Sequence, residues 1–231
     1  MKLDLIHDFT HLFFPHICVG CGTDVIGTKS VLCIKCINQL PVTNFHLHAE
    51  NQVEKIFRGR LPVNQATSFC YFSKDSLIQR LLHQLKYKGN KDVGYFAGRM
   101  MGVALRQSER YDSIDALIPL PLFASREKKR GYNQAAVLCE GISATTGIPV
   151  LKNIITRITS TETQTHKNRI ERWLNMEGRF ELKDLEAIKN KHVLLVDDVL
   201  TTGATLEACG HELLQGENTR VSIATMAYTV K

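Results

Sequence analysis

The sequence predicts an α/β fold in which helices flank a parallel sheet, preceded by a small four-cysteine module. Three observations support this prediction: a continuous apolar run at residues 193–196, helical spacing of apolar residues between Leu77 and Ala104, and two C-x-x-C pairs near the amino terminus. The chain has 231 residues, 44% of them apolar, so it can bury one sizeable core beside a small module. We place the module and its connector at residues 1–48 and the α/β domain at residues 49–231.

The first module contains two C-x-x-C pairs separated by a short polar loop. Its four cysteines are Cys18, Cys21, Cys33 and Cys36. Four thiolates surround the metal in closed structural zinc sites, and each pair can supply one edge of the tetrahedron. Disulfides or a redox C-x-x-C are the alternatives, which the odd total of 7 cysteines and the lack of a secretory signal or thioredoxin-like context disfavour. We therefore predict structural zinc at these cysteines.

Other histidines and cysteines have simpler interpretations. Three histidines close in sequence are alternative metal ligands, but with four cysteines available we expect them to be exposed in loops: His16, His46 and His48. The remaining cysteines lie among apolar residues at helical or strand spacing, which predicts buried core thiols: Cys70, Cys139 and Cys209.

Several segments of the larger domain have clear periodicity. Apolar residues at helical spacing predict one helix over residues 77–85 and a second over residues 93–104. Alternating apolar residues at 114–120, interrupted by prolines, predict a strand that enters a rigid loop. Asn133 can cap a further helix, which Gly147 would end.

A basic segment follows the end of that predicted strand. It contains Arg126, Lys129 and Arg130, directly before Gly131. Positive side chains can bind pyrophosphate, and a glycine lets the backbone approach an anion closely. The alternative is a solvated charged face, which is common for lysine and arginine runs.

The apolar run at residues 193–196 is followed by a polar segment. Asp197 and Asp198 come first, at the strand end where open α/β sheets bind ligands. Ionised carboxylates accept hydrogen bonds, so they match the vicinal hydroxyls of a ribose, with a divalent cation alongside. The next residues supply hydroxyls and accessible amides at the start of a predicted helix, where a phosphate is favoured. These residues are Thr201, Thr202, Gly203, Ala204 and Thr205.

This polar segment resembles the phosphoribosyl-pyrophosphate signature of type I phosphoribosyltransferases. The resemblance implies that Asp197 and Asp198 hold the ribose hydroxyls and favour the sugar cation during catalysis, while residues 201–205 surround the 5′-phosphate. It also implies that magnesium accompanies phosphoribosyl pyrophosphate, bridging its pyrophosphate and ribose. The fold class implied is the type I phosphoribosyltransferase fold, with its parallel sheet flanked by helices. No Walker-type or dinucleotide-binding glycine motif occurs in the sequence.

The four cysteines and several further segments resemble the ComF family, known from bacterial DNA uptake and natural competence. These segments are residues 40–41, 57–60, 85–89, 119–122, 130–135 and 169–175. By this resemblance, Arg169 and Arg172 belong to a flexible loop that closes over phosphoribosyl pyrophosphate. The two arginines are three residues apart, so on a helix they would share one face suited to phosphate.

Two kinds of function follow from these patterns. The first is an enzyme that transfers phosphoribose from phosphoribosyl pyrophosphate to an acceptor. The second is a non-catalytic DNA-uptake factor that uses the same fold to contact single-stranded DNA or DNA-uptake proteins. A net charge of +6 permits both. The amino-terminal residues lack the pattern of a signal peptide and no apolar run could span a bilayer, so we expect a cytoplasmic protein without membrane insertion.

Overall fold

A parallel sheet lies at the centre of the computed structural model, which describes residues 16–24, 30–158 and 179–230. The strands are β1 (Ala66–Phe72), β2 (Ala116–Pro119), β3 (Ile155–Ile158), β4 (Arg179–Leu182), β5 (His192–Leu200) and β6 (Arg220–Thr229). The order across the main sheet is β1, β6, β5, β2, and every neighbouring pair is parallel. The short strands β3 and β4 form a separate antiparallel pair. The predicted parallel sheet is confirmed, with β5 as a central strand.

Seven α-helices accompany the strands within the described residues. They are α1 (Ile34–Asn38), α2 (Gln52–Phe57), α3 (Leu77–Tyr87), α4 (Lys91–Arg106), α5 (Ala124–Arg130), α6 (Gln134–Thr146) and α7 (Ala204–Leu213). The helices predicted from periodicity are α3 and α4, and both are confirmed. Asn133 caps α6 by accepting the amide of Ala135, and Gly147 ends it in the left-handed conformation, as the sequence predicted.

Helices cover both faces of the main sheet. Leu194 and Val196 of β5 pack into a core shared with α3, α4 and α6. Their neighbours Val193 and Leu195 point to the opposite face, into a core shared with α2 and α7. Because neither face meets water, β5 needs apolar residues at successive positions, which explains its uninterrupted run.

Helices α4 and α6 approach each other at the level of the backbone. A Cβ atom added to Gly98 would lie 2.2 Å from the carbonyl oxygen of Leu138, and one added to Gly141 would lie 2.3 Å from that of Tyr95. Side chains at these two positions would therefore force the helices apart. The contact fixes α6, whose first residues follow the basic segment and the second strand.

The four-cysteine module packs against the larger domain. Cys18, Leu32 and Cys36 belong to the same apolar core as α3 and α4. A Cβ atom at Gly20 would lie 2.7 Å from Cδ1 of Leu77, the first residue of α3. The module thus meets α3 at its amino-terminal end. The boundary proposed between residues 48 and 49 stays a prediction.

Candidate functional site

The two acidic residues lie near the carboxyl end of β5. Asp198 is buried, and its Oδ1 accepts an ion-pair contact from Nζ of Lys86 at 3.0 Å. Asp197 is half-buried, and its Oδ1 accepts a hydrogen bond from the amide of Asp198 at 2.7 Å. Both acids lie within β5, which continues to Leu200 and is therefore longer than the apolar run that predicted it, near the carboxyl end of the sheet, where open α/β folds bind ligands.

The surroundings of Asp197 disfavour its charged form. Burial, and next the adjacent carboxylate of Asp198, raise the pKa of Asp197 to about 8, although Lys86 and Arg157 act in the opposite direction. A second negative charge is therefore costly at this edge near neutral pH. A group that donates hydrogen bonds or brings positive charge would lower that cost, which suits a sugar diol or a divalent cation.

The polar segment after the acids forms the turn that starts α7. Thr201 and Thr202 are exposed, and Gly203 adopts a φ of 80° at the position before the helix. A Cβ atom on Gly203 would lie 3.0 Å from the ring of Phe57, so both the backbone conformation and α2 require glycine here. The helix predicted after this turn is confirmed. The amide of Ala204, the first of the helix, donates to Oγ1 of Thr202 at 3.4 Å, and the helix dipole favours an anion at this end.

Arg60 supports this turn, and sequence reasoning did not assign it a role. Its Nη1 donates to the carbonyl oxygen of Thr202 at 3.0 Å, and its Nη2 pairs with the carboxylate of Glu207 in α7. The two contacts brace the turn against the helix that follows. The only signal in the sequence was that Arg60 lies in a segment resembling the ComF family.

Basic side chains from two separate segments form one cleft of about 300 Å³ beside the acids. We call it the basic cleft, and it is lined by Lys86, Tyr87, Gly89, Arg126, Lys129 and Arg130. The three basic residues predicted to bind pyrophosphate therefore lie together. Lys86 adds a fourth positive charge and also contacts Asp198, so it connects the basic cleft to the acidic pair.

A second cavity of about 470 Å³ lies on the other side of α5. Ala124, Glu127 and Gly131 line this second cavity, whereas Arg126 and Lys129 line the basic cleft. Helix α5 consequently lies between two open spaces and buries none of its residues. Gly131 has a φ of 79° and ends α5, but it does not share the basic cleft with the arginines.

The four cysteines of the first module are brought together as predicted. Their sulfur atoms all lie within 4.8 Å of one another, and the Sγ atoms of Cys21 and Cys33 are 3.7 Å apart. Tetrahedral zinc with Zn–S bonds of about 2.3 Å requires sulfur atoms separated by about 3.8 Å. Hydrogen bonding to Thr23 lowers the pKa of Cys21 to about 6, whereas burial raises the pKa of Cys36 to about 12, so metal binding would displace a proton from Cys36. The donor set therefore fits structural zinc.

The remaining cysteines and histidines test the simpler predictions. Cys70, Cys139 and Cys209 are fully buried, which confirms them as core thiols. His16 and His48 are exposed as expected. The prediction of an exposed His46 was wrong, because the 3-10 helix Phe45–Leu47 packs on β1 and buries its ring. Burial in turn lowers the pKa of His46. The predicted loop residues Arg169 and Arg172 lie outside the described part of the chain.

Comparison with known proteins gives one family match and several relatives. The phosphoribosyl transferase domain family matches residues 116–229, which include the end of β5 and the turn before α7. Competence protein F of Haemophilus influenzae is 27% identical over 205 residues, which cover 84% of this chain and 89% of that protein. DNA utilization protein YhgH of Escherichia coli O157:H7 is 26% identical over 217 residues, covering 93% and 91%.

Two further similarities are weaker or shorter. Competence protein ComFC of Bacillus subtilis is 29% identical over 157 residues, which cover 67% of this chain and 61% of that protein. The structure of L. donovani hypoxanthine-guanine phosphoribosyl transferase has a TM-score of 0.38 and 16% identity, over 58% of this chain and 71% of that chain.

Among the helices of the described residues, none combines the length and the apolar character needed to cross a bilayer. The parallel sheet flanked by helices, the four-cysteine cluster, the matched transferase domain and the competence and DNA-utilization relatives agree with one another. The chain is similar over most of its length to competence and DNA-utilization proteins, in line with the resemblance to the ComF family, and its larger domain has the type I phosphoribosyltransferase fold.

Proposed function

We propose that this protein binds phosphoribosyl pyrophosphate with magnesium at the carboxyl edge of its sheet, in the service of DNA uptake. One observation carries the proposal: the acidic pair, the turn before α7 and the basic cleft meet at this edge. Each matches a different part of the ligand. The DNA-uptake setting is taken from the names of the competence and DNA-utilization relatives.

The parts of the ligand can be assigned to groups of the site by charge. Asp197 and Asp198 accept hydrogen bonds from the ribose hydroxyls and would hold magnesium beside them. The amides and hydroxyls of residues 201–205 surround the 5′-phosphate at the start of α7. The basic cleft, through Arg126, Lys129 and Arg130, receives the pyrophosphate. We keep Arg169 and Arg172 as a proposed closing loop.

The reaction class that this arrangement supports is phosphoribosyl transfer to an acceptor nucleophile. The bond between C1 and the pyrophosphate oxygen breaks with both electrons leaving on pyrophosphate, while the acceptor forms a new bond to C1. The basic cleft stabilises the negative charge of the leaving group, and the acidic pair stabilises positive charge on the sugar. Bound magnesium would supply further positive charge to the leaving pyrophosphate.

The proposal is tested by calorimetric titration of phosphoribosyl pyrophosphate with magnesium. We expect the wild type to bind and the Asp197→Asn, Asp198→Asn double variant to bind at least about 100-fold more weakly, because both hydroxyl acceptors and the cation site are altered. Asp75→Asn with Asp112→Asn is a matched control, since it removes the same charge at exposed positions. A wild type that fails to bind would contradict the proposal.

A second candidate function is binding of single-stranded DNA along the basic cleft. Tyr87 favours it, because this residue is 68% exposed at the cleft and its ring centroid lies 6.0 Å from the guanidinium carbon of Arg130. Exposed aromatic rings beside positive charge are typical of single-strand binding surfaces. Lys129→Glu with Arg130→Glu should weaken binding and flatten its salt dependence, whereas Lys55→Glu with Lys74→Glu should change both less. Identical titrations for these two variants would exclude the cleft from the DNA path.

We also propose that the four-cysteine cluster holds one structural zinc ion. Metal analysis of protein purified under reducing conditions should give one zinc per chain, and Cys33→Ser should abolish it. Removing the metal should loosen the module, because zinc binding coupled to folding has apparent energies of about 10 to 16 kcal/mol. Cys139→Ala is the control, since this buried thiol is not one of the four clustered sulfurs and its variant should keep its zinc. Wild-type protein without zinc would contradict the proposal.

A further inference from the structure

Lys86 occupies the junction between the two charged parts of the site. Its Nζ lies 3.0 Å from Oδ1 of Asp198, and the same side chain lines the basic cleft. The side chains of Lys86 and Asp198 are only 23% and 11% exposed, so solvent screens their attraction weakly. An ion pair on a solvated surface would contribute little, but this pair lies between two proposed ligand-binding groups.

Helix α3, which carries Lys86, is fixed in place by three sets of contacts. Its apolar stripe is buried in the core beneath the sheet, through Ile78, Leu81, Leu82 and Leu85. The hydroxyl of Tyr132 donates to the carbonyl oxygen of Leu85, which joins the end of α3 to the loop after α5. At its other end α3 contacts Gly20 of the four-cysteine module. The position of Lys86 is therefore set by packing before any ligand binds.

The charges around Lys86 differ with and without a ligand. Arg126, Lys129 and Arg130 share the basic cleft with Lys86, so in the free protein these four positive groups repel one another. Asp198 offsets part of this repulsion by pairing with Lys86. A pyrophosphate group in the cleft would provide a stronger partner. An ammonium group has three N–H donors, so it can contact Asp198 and a phosphate oxygen at once.

We propose that Lys86 is a pyrophosphate-binding residue, bonded to Asp198 in the free protein and shared between Asp198 and the pyrophosphate of the ligand in the complex. This inference rests on the proposed function of the site. It places Lys86 beside the bond that breaks during phosphoribosyl transfer, where its charge stabilises the leaving group. It also predicts that Lys86 distinguishes ligands that carry pyrophosphate from those that do not.

The test is calorimetric titration of three probes, namely phosphoribosyl pyrophosphate, inorganic pyrophosphate and ribose 5-phosphate, in one magnesium buffer. Lys86→Met should weaken the binding of phosphoribosyl pyrophosphate and of inorganic pyrophosphate by about 10- to 100-fold, which is the range for losing a hydrogen bond to a charged group. Ribose 5-phosphate should change less than about 3-fold, since it lacks the group that Lys86 binds. Lys88→Met is the matched control, because it removes the same charge from an exposed neighbour on the same chain segment.

A second pair of variants covers the case in which Lys86→Met leaves Asp198 unpaired and the protein unfolds. Asp198→Asn serves as the reference for this pair, since it removes the carboxylate that Lys86→Met would otherwise leave unpaired. Adding Lys86→Met to Asp198→Asn should weaken the binding of inorganic pyrophosphate by about 10-fold or more relative to Asp198→Asn alone. Circular dichroism verifies that each variant is folded.

The outcomes separate the inference from the proposed function. The inference is overturned if Lys86→Met weakens the binding of all three probes equally. It is also overturned if pyrophosphate affinity is unchanged both by Lys86→Met in the wild type and by Lys86→Met added to Asp198→Asn. In either case the proposed function stands. A wild type that binds none of the three probes overturns both. Selective loss of the two pyrophosphate-containing probes supports the role of Lys86.

Discussion

Polar residues near the two ends of β5 have different surroundings. At the first end, His192 is fully buried, and its ring nitrogens lie 2.9 Å from Oγ of Ser113 and 2.8 Å from Oγ of Ser222. At the last end, Asp197 and Asp198 lie beside an open basic cleft. A buried polar residue is therefore a poor indicator of a binding site by itself. What distinguishes the two ends is that the histidine ring is enclosed by protein groups, whereas the acids lie beside an open cleft.

Burial also shifts the pKa values of the groups at the two ends of β5 in opposite directions. Burial lowers the pKa of His192 and raises the pKa of Asp197 to about 8. In both cases the charged form is penalised, since charge is costly away from water. The neutral histidine fits a hydrogen-bonded interior. The carboxyl of Asp197 favours its neutral form until a ligand or cation offsets its negative charge. A binding function would explain why the fold keeps an acid that is costly to ionise.

The largest expected effect is loss of stability at the histidine end. His192→Ala removes the partner of both serine hydroxyls and leaves a cavity, so the free energy of unfolding should fall by about 2 to 4 kcal/mol. Urea unfolding measures this change. Phosphoribosyl pyrophosphate affinity of the folded protein should stay within about 3-fold of the wild type. A large affinity loss would break the comparison by linking the two ends.

The next effect, at the acid end, is a gain of stability. Asp197→Asn should raise the free energy of unfolding by roughly 1 to 2 kcal/mol near pH 8, because it removes a carboxyl that is costly to ionise in the folded state. The folded pKa is raised from 3.8 to about 8, so the wild type loses stability as the pH rises between these values. The gain should therefore shrink toward pH 4. A gain independent of pH would contradict this explanation.

The histidine end should show the opposite pH dependence. The pKa of His192 is lowered from 6.5, so the folded state binds fewer protons than the unfolded state, and stability is lost as the pH falls below that value. His192→Gln cannot titrate, so its stability should fall less than that of the wild type between pH 7 and pH 5. Thermal unfolding across this range provides the measurement. Parallel curves for the two proteins would show that His192 does not titrate in this way.

The smallest effect concerns the turn at the acid end. Arg60→Ala removes the contacts with Thr202 and Glu207 and should weaken the binding of phosphoribosyl pyrophosphate by about 3- to 10-fold. The free energy of unfolding should fall by less than about 1 kcal/mol. Arg58→Ala is the matched control, because Arg58 pairs only with the exposed Glu50 in the described structure. Equal effects of the two variants would show that the brace does not position the turn.

Local pattern predicted much of the fold and the residue types of the site. The apolar run placed β5, helical spacing placed α3 and α4, and a single asparagine placed the start of α6. The contributions of Lys86 and Arg60 could not be predicted this way. Arg60 contacts Thr202 across 142 positions of sequence, and Lys86 reaches Asp198 only because α3 and β5 share one core. Such contacts depend on tertiary packing, which no local period records.

Helix α5 has a practical consequence because it buries no residue and lies between two open spaces. Without core contacts, its backbone amides should exchange with solvent rapidly and its chain should be open to proteases. Arg126, Lys128, Lys129 and Arg130 are all sites for trypsin. Anion binding would shield the same side chains that the protease must recognise. The rate of tryptic cleavage in α5 is therefore a label-free report of occupancy, usable for screening acceptors and DNA alike.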